Sequence, residues 1–250
     1  MDIQRYLERI QYHRSLAPTL QTLRALHEAH LLAVPFENLD IHLGREIVLD
    51  QAALWTKIVE HNRGGFCYEL NGLFALLLRE LGFQVDMLSA AVANSTGGFG
   101  PEFDHLTLLV HLEEDWLADV GFGESFRQPL QMQSALVQPQ NGGSYRMERE
   151  GVSWIYQKWD GTWKPAYRFS LQPHELSDFA AMCRYQQTSS ASHFTQKRVC
   201  SLAKRSGRMT LSDQCLITTI DGERTERLLT NEEYQTVLAE QFGIILSLEA

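Results

Sequence analysis

The sequence predicts an α+β fold laid out in three successive parts: a helical bundle, then an antiparallel sheet or barrel, then a small α/β segment. Through residues 1–82 the apolar positions recur at helical spacing. Residues 83–183 form strand-like runs separated by Gly, Pro, Asn and acidic turns, and residues 184–250 mix a hairpin pattern with a capped helix. No repeat, low-complexity tract or flexible linker separates the parts, so they are expected to pack as one body.

The elements follow in order. Ile3, Tyr6, Leu7 and Ile10 fall on one face of a first helix, and a second starts near Thr19 and carries Leu20, Leu23 and Leu26. "VPFENLDIHLG" interrupts with an X-Pro step and turn residues; Asp50 then caps a helix carrying Leu54 and Ile58. The next helix opens inside "RGGFCYELNGLF": Cys67, Leu70, Phe74, Leu77 and Leu81 share a face, and Gly82 stops it. "FQVDMLSAAVA", "HLTLLVHL", "DWLADVGFG", "SYRMEREGVSWIYQKW" and "WKPAYRFSL" read as strands, with "NSTGGFGPEFD" as a loop rich in small residues. "QPHELSDFAAMCRYQQ" reads as a short helix and "MTLSDQCLITTID" as a hairpin. "TNEEYQTVLAEQFG" reads as a helix with Thr230 capping and Glu233 at its third position.

Composition narrows the function classes. A chain of 250 residues, 44% hydrophobic and 21% charged, suits one soluble domain or a few subdomains sharing a core. No apolar run approaches the roughly 18 residues of a membrane span, and "MDIQRYLERIQYH" lacks the apolar core of a signal peptide. Cys67, Cys183, Cys200 and Cys215 show neither CxxC pairing nor metal-ligand spacing, so reduced thiols in a cytoplasmic protein and no metal are expected. A net charge of −9 gives no global attraction to nucleic acid or an anionic membrane. Locally, Lys197, Arg198, Lys204, Arg205 and Arg208 form a basic run without an acid, read either as a solvated face or as a site for a polyanion.

A thiol at the first turn of a helix is an unusual choice. The partial positive charge and unpaired N–H groups there favour a thiolate, and Gly64 and Gly65 permit a tight turn that leaves the sulfur accessible. Alone, Cys67 reads first as a buried packing thiol and only second as a nucleophile. His105 and Asp119 add to it: a hairpin turning about residue 112 sets them opposite each other, whereas a turn centred on Glu114 leaves them four residues out of register. The triad reading requires the first register or a bulge. His30, His61, His111, His174 and His193 show no such acid partner in an adjacent strand. Cysteine, histidine and aspartate so arranged make a nucleophile, its base and the group that orients the base.

Together "RGGFCYELNGLF", "VPFENLD" and "DVGFG" resemble the arylamine N-acetyltransferase family, and "YQQTSSASHFTQKRVCSLAKRSG" resembles its coenzyme A-contacting segment. The resemblance implies a helical bundle carrying the nucleophile (1–82), a β-barrel carrying His and Asp (83–183), and an α/β lid with coenzyme contacts (184–250), built on a papain-like core. It implies a catalytic triad of Cys67, His105 and Asp119 and ping-pong acetyl transfer from acetyl-CoA, a cosubstrate with no further cofactor, to small aromatic amines, hydrazines or N-hydroxyarylamines. Phe36, Tyr68 and Phe122 are then candidates to line an aromatic slot, and the Phe103–Asp104 segment to contact the reacting group. Tyr185, Ser189, Ser192, Phe194 and Lys197 fall to the coenzyme. A buried Arg63–Glu37 ion pair is expected to hold the turn before Cys67.

Two departures from the family pattern stand in the coenzyme segment: Ser190 where a Pro is common, and Ala191 where some members have a hydroxyl. The family also often continues beyond "EQFGIILSLEA", so a more open cleft is expected. A papain- or transglutaminase-like hydrolase, or an acyltransferase with a different acyl donor, is the alternative, although "RGGFCYE" lacks the papain signature around its cysteine. A non-catalytic binder of small aromatics is a further alternative, and it gives no reason to keep all three triad residues.

Overall fold

Local capping chemistry sets the first helices where the sequence places them. In the computed structural model, which describes residues 2–246, Asp2 caps α1 (Ile3–Arg9) and Thr19 caps α2 (Leu20–Ala33) by accepting the Thr22 N–H. A two-residue strand, β1 (Phe36–Glu37), and a short α3 (Leu39–His42) follow. Asp50 accepts two N–H groups of α4 (Gln51–Trp55), which continues as a π-helical stretch over Thr56–Glu60. The helix α5 (Cys67–Glu80) is buried all round over most of its length, with Leu70, Leu73, Phe74 and Leu77 without exposure. Such a helix is core rather than surface.

Eight antiparallel strands follow: β2 (Gln84–Val92), β3 (His105–His111), β4 (Asp115–Ala118), β5 (Leu130–Gln131), β6 (Gln138–Gln140), β7 (Gly143–Glu150), β8 (Ser153–Asp160) and β9 (Thr162–His174). They run in the order β5-β4-β3-β2-β9-β8-β7-β6, and hydrogen bonds between Gln131 and Gln138 draw the two ends together into a nearly closed barrel. α5 packs against β2 and β3 from outside, while Phe126, Tyr145, Met147, Tyr156, Tyr167 and Phe169 fill a second core. The α+β class, helices first and then an antiparallel barrel, is as the sequence implies.

A 3-10 turn (Leu176–Phe179) leads into α6 (Ala180–Thr188) and α7 (His193–Gln196). After them come β10 (Val199–Lys204), β11 (Gly207–Ser212), β12 (Cys215–Ile220), β13 (Glu223–Leu228) and α8 (Asn231–Phe242). The expected boundary at residues 183 and 184 falls inside α6. Five strands escape a sequence reading for physical reasons, β5 and β6 because two and three residues carry no periodicity. β1 is too short for periodicity, β10 is covered on both faces, and β13, "ERTERL", is an exposed charged edge with no apolar side. The second sheet runs β1-β10-β11-β12-β13, so a strand from the helical part completes the C-terminal part. Part of "EQFGIILSLEA" lies outside the described residues, 247–250 among them. Among the described residues no helix is long and apolar enough to cross a membrane.

β1 is also bridged to the turn before α5: Phe36 pairs with Gly65 on one side and with Ser201 on the other, and Glu37 N–H donates to the Gly65 carbonyl at 2.9 Å. Gly64 is required by this close approach, since a Cβ there would stand 1.9 Å from the Pro35 carbonyl oxygen. At Gly98 an added Cβ meets nothing nearer than 3.6 Å. Gly64→Ala is therefore expected to cost on the order of 3 kcal/mol in urea unfolding, and Gly98→Ala less than about 1 kcal/mol. Equal midpoints for the two variants would contradict the packing described.

Candidate active site

Cys67 is the first residue of α5, so the helix's unpaired N–H groups and its positive end surround the thiol. One turn on, at i+4, Asn71 points the same way and stitches three elements together. Its amide nitrogen donates to the Leu106 carbonyl at 2.7 Å and to Asp119 Oδ1 at 2.8 Å, while its oxygen accepts the Val120 N–H at 2.8 Å. His105 opens β3, and its Nε2 meets Asp119 Oδ2 at 2.7 Å. With Nε2–H given to the carboxylate, Nδ1 is left as the basic nitrogen of a neutral ring.

The geometry is reached by a register that neither sequence alternative describes. His111 faces Asp115 and Leu108 faces Ala118, so the hairpin centres on residue 113 and Asp119 lies across from Thr107 by extension. The ladder ends at Ala118, and Asp119 stands just beyond β4 in a bend, from which its carboxylate reaches His105 diagonally. The absence of an acid partner for His111 is also corrected: its ring bridges Asp115 at 2.7 Å and Asp86 of β2 at 2.9 Å, at the far end of β3.

Asp119 has no exposure and is fully bonded. Oδ1 accepts from Asn71 and the Gly121 N–H, and Oδ2 from His105 and the Tyr167 hydroxyl at 2.9 Å. Burial alone would raise this carboxyl; His105, Asn71 and Gly121 together hold it below the usual carboxylate range. His27 fixes its backbone: Nε2 accepts the Asp119 N–H at 3.1 Å, with Nδ1 against the Arg127 carbonyl at 2.8 Å. Burial pushes His27 down to about 4, which keeps it neutral. Asn71 was findable from its spacing to Cys67; Tyr167 and His27 carry no local signal.

The sulfur is more enclosed than the two glycines suggest, for Cys67 is 3% exposed and His105 2%. Gly121 packs directly on it: a Cβ there would stand 2.8 Å from Cys67 Cα. Burial pushes the thiol well above its ordinary value, the Leu106 backbone opposes this, and the Asp119 charge adds to the rise.

The remaining candidates separate. Phe122 lies against His105, ring centroids 5.0 Å apart, and Phe36 and Phe194 meet at 6.1 Å beside the buried Phe66; Phe122, Phe36 and Phe194 are partly exposed. Tyr68 is fully buried instead, its hydroxyl donating to the Phe103 carbonyl at 2.8 Å, so it braces the wall rather than lining an open slot. The Phe103 N–H is taken by Ser89 Oγ at 2.7 Å, and the Asp104 carboxylate accepts from Gln186 at 2.6 Å. Ser192 is buried too, its hydroxyl donating to Gln186 at 2.5 Å, which removes it from an open coenzyme surface. Tyr185 and Lys197 are exposed and Ser189 partly so. The basic run divides by strand alternation: Lys204 turns to the Gln241 carbonyl of α8, Arg198 lies over Tyr234, and Arg208 faces the opposite way, to Ser201.

The expected Arg63–Glu37 pair is present at 2.7 Å within a larger buried network. Arg63 also meets Asp40 at 2.9 Å, and Lys57 meets Asp40 and Glu69 at 2.7 Å each. Glu69 accepts the Phe66 N–H in front of Cys67, so the network anchors the start of α5.

A family model described as N-acetyltransferase matches residues 19–250. The arylamine N-acetyltransferase of Escherichia coli is 38% identical over 245 residues, covering 96% of this chain and 87% of that protein. The chain belongs to the arylamine N-acetyltransferase family. Within that family, the arylamine N-acetyltransferase / N-hydroxyarylamine O-acetyltransferase of Salmonella typhimurium is 37% identical over 246 residues, covering 96% of this chain and 87% of that protein. The solved arylamine N-acetyltransferase from Salmonella typhimurium superposes with a TM-score of 0.93 at 34% identity, covering 99% of this chain and 93% of that one. The Mycobacterium marinum enzyme in complex with CoA superposes at 0.90 and 31% identity, covering 97% and 93%. The chain is thus an acetyltransferase, and the hydrolase and passive-binder alternatives fall away.

Two cations serve three carboxylates in the network, and burial lifts Glu69 from 4.5 to about 7 even beside Lys57. A carboxyl raised on folding stabilises below its unfolded value and loses that contribution as pH rises through its folded value. Wild type should therefore lose on the order of 3 kcal/mol relative to Glu69→Gln between about pH 5 and pH 8. Denaturant titrations at both pH values test it, and parallel pH dependence in the two proteins would refute it.

Proposed function

We propose that the chain transfers acetyl from acetyl-CoA to an arylamine, arylhydrazine or N-hydroxyarylamine by a ping-pong route through acetyl-Cys67. His105 moves the protons, and Asp119 orients and charges its ring. The observation that carries this reading is the fully bonded Asp119 holding His105 Nε2, which leaves Nδ1 to serve a thiol at the head of α5. Cys67 sulfur, its proton passed to His105, attacks the thioester carbonyl; the bond to the coenzyme sulfur breaks and the leaving thiolate takes the proton back. The amine nitrogen then attacks acetyl-Cys67, His105 accepts its proton, and the amide departs as the Cys67 sulfur is released. The Cys67 and Tyr68 amides at the head of α5 are assigned to the oxyanion, since the Glu69 N–H is already given to the Phe66 carbonyl.

Support for the donor comes from the Mycobacterium marinum relative solved with CoA. Tyr185, Ser189, Phe194 and Lys197 are assigned to coenzyme contact, with Ser192 shaping that segment through Gln186. Phe36 and Phe122 are assigned to the acceptor ring, and Asp104 to holding the segment before His105. With Cys67, Cys183, Cys200 and Cys215 all free thiols, a reducing cytoplasm is the proposed setting. Acetyl-CoA is spent as a cosubstrate and the scheme uses no resident cofactor.

Intact-protein mass after acetyl-CoA alone is expected to rise by one acetyl group, with adduct and turnover both lost in Cys67→Ser. An adduct mapped to Cys183, Cys200 or Cys215 would sink the assignment.

Charging of the thiol is tested separately, because burial raises it while an imidazolium and the helix end would lower it. The proposal expects wild-type alkylation by iodoacetamide to proceed well below the ordinary thiol value of about 8.5, and Asp119→Asn to move the profile upward while cutting turnover severely. An alkylation profile at or above that ordinary value in wild type would show that no resting ion pair exists.

A further inference from the structure

Most sheet edges of the molecule are occupied. β5 and β6 are drawn together through Gln131 and Gln138, and β1 is bridged to Gly65. The exception is β13, which pairs with β12 along its whole length without a shift. Among the described residues no strand lies on its other side, and every residue from Glu223 to Leu228 is exposed. Edge strands are ordinarily blunted against a further strand by Lys, Pro, a bulge or shortness. β13 has no Lys, no Pro and no bulge.

The turn before β13 decides which main-chain groups are left free. Asp221 (φ 49°) and Gly222 (φ 87°) form a two-residue hairpin loop flanked by Ile220 opposite Glu223. In the same register the Leu229 N–H donates to the Gln214 carbonyl at 2.8 Å. By alternation Glu223, Thr225 and Arg227 turn N–H and C=O toward β12, while Arg224, Glu226 and Leu228 turn theirs outward. An added antiparallel strand must set outward residues against outward residues. For a second copy of β13 related by a two-fold axis, the axis therefore falls on a residue, never between two. On Arg224 or on Glu226 it brings like charges face to face. On Thr225 it sets Arg224 against Glu226 and Glu223 against Arg227, with Thr225 against itself. Directly opposite residues of unlike charge stabilise a strand pair, and like charges destabilise it.

Within one chain Arg224 meets Glu226 at 2.6 Å and Arg227 meets Glu233 at 2.7 Å, all four side chains exposed. Such pairs are worth little and exchange readily. β13 holds two Arg and two Glu, so it is a neutral strand in a chain of net charge −9. Leu228, 80% exposed, would come opposite Gly222 of the second copy.

We infer that β13 is an interface for a second copy of this chain, paired antiparallel about Thr225 so that the two C-terminal sheets become one. Arg224 and Glu226 of the two copies exchange main-chain bonds and match charge in the same contact, and Glu223 and Arg227 match on the opposite face. A strand pair of this length buries less than the roughly 1,200 Å² of a standard interface, so the dimer is weak and depends on concentration.

Analytical ultracentrifugation of the whole protein from about 1 μM to about 1 mM tests the pairing. Wild type should dimerise within that range. Arg224→Glu sets acid against Glu226, and Glu226→Arg sets base against Arg224, so each alone should raise the dimer dissociation constant at least about tenfold. The two single variants mixed in equal amounts should dimerise again, because the acidic strand of one faces the basic strand of the other. Arg224→Glu combined with Glu226→Arg should dimerise as wild type does. Thermal melts matching wild type establish that the variants are folded. A wild type that stays monomeric at about 1 mM leaves the edge to a different strand or to water and overturns the inference. Dimers that persist in both single variants, or a mixture that stays monomeric, overturn it equally.

Discussion

A carboxylate without access to water must have every lone-pair direction occupied, and Asp119 meets that demand by drawing donors from across the molecule. Asn71 comes from α5, His105 from β3, Tyr167 from β9 and Gly121 from the same bend. Losing one partner would leave buried charge uncompensated, so helix, barrel and bend are held in a single relative position. His27 extends the constraint to the backbone by accepting the Asp119 N–H. The positions of Cys67 and His105 are thus consequences of satisfying one buried charge.

The same logic of satisfied burial governs the approach to α5. Glu69 bonds the amide in front of Cys67, Lys57 bonds Glu69, and Arg63 with Asp40 and Glu37 carries the network to β1. Gly64 and Gly121 let backbone come within reach on either side of the cysteine. The thiol is consequently held by rigid elements but in little water. Its reactivity depends on whether the helix end and an imidazolium outweigh the burial that raises it.

What was legible in the sequence was what is local. Caps at Asp50 and Thr230, the helix start near Thr19 and the start of α5 follow from neighbours within a turn of the chain, and they fell as expected. The His105–Asp119 contact was legible as chemistry but not as register. Strand pairing is set by the turn, which here centres between the two alternatives, and the acid acts from beyond its strand. The basic run misled as a cluster because neighbours along β10 and β11 face opposite sides of a sheet. Tyr68 and Ser192 sit in the right segments, yet the same segments build the wall, and no periodicity distinguishes a residue facing the cleft from one holding it. Tyr167 and His27 join Asp119 across long stretches of chain, which no single-sequence pattern encodes.

The two-residue strand β1 has a further consequence, for the order in which the molecule assembles. Phe36 is bridged at once to Gly65 and to Ser201, so the turn that presents Cys67 borders a strand whose other neighbour emerges late in synthesis. The helical part and barrel are made first and can condense around their own cores, but β1 stays an unpaired edge until β10 arrives and closes a loop of well over a hundred residues. A nascent chain lacking β10 therefore carries Cys67 on an unfinished scaffold. The setting of Cys67 is completed by the last quarter of the polypeptide, although Cys67, His105 and Asp119 all precede it.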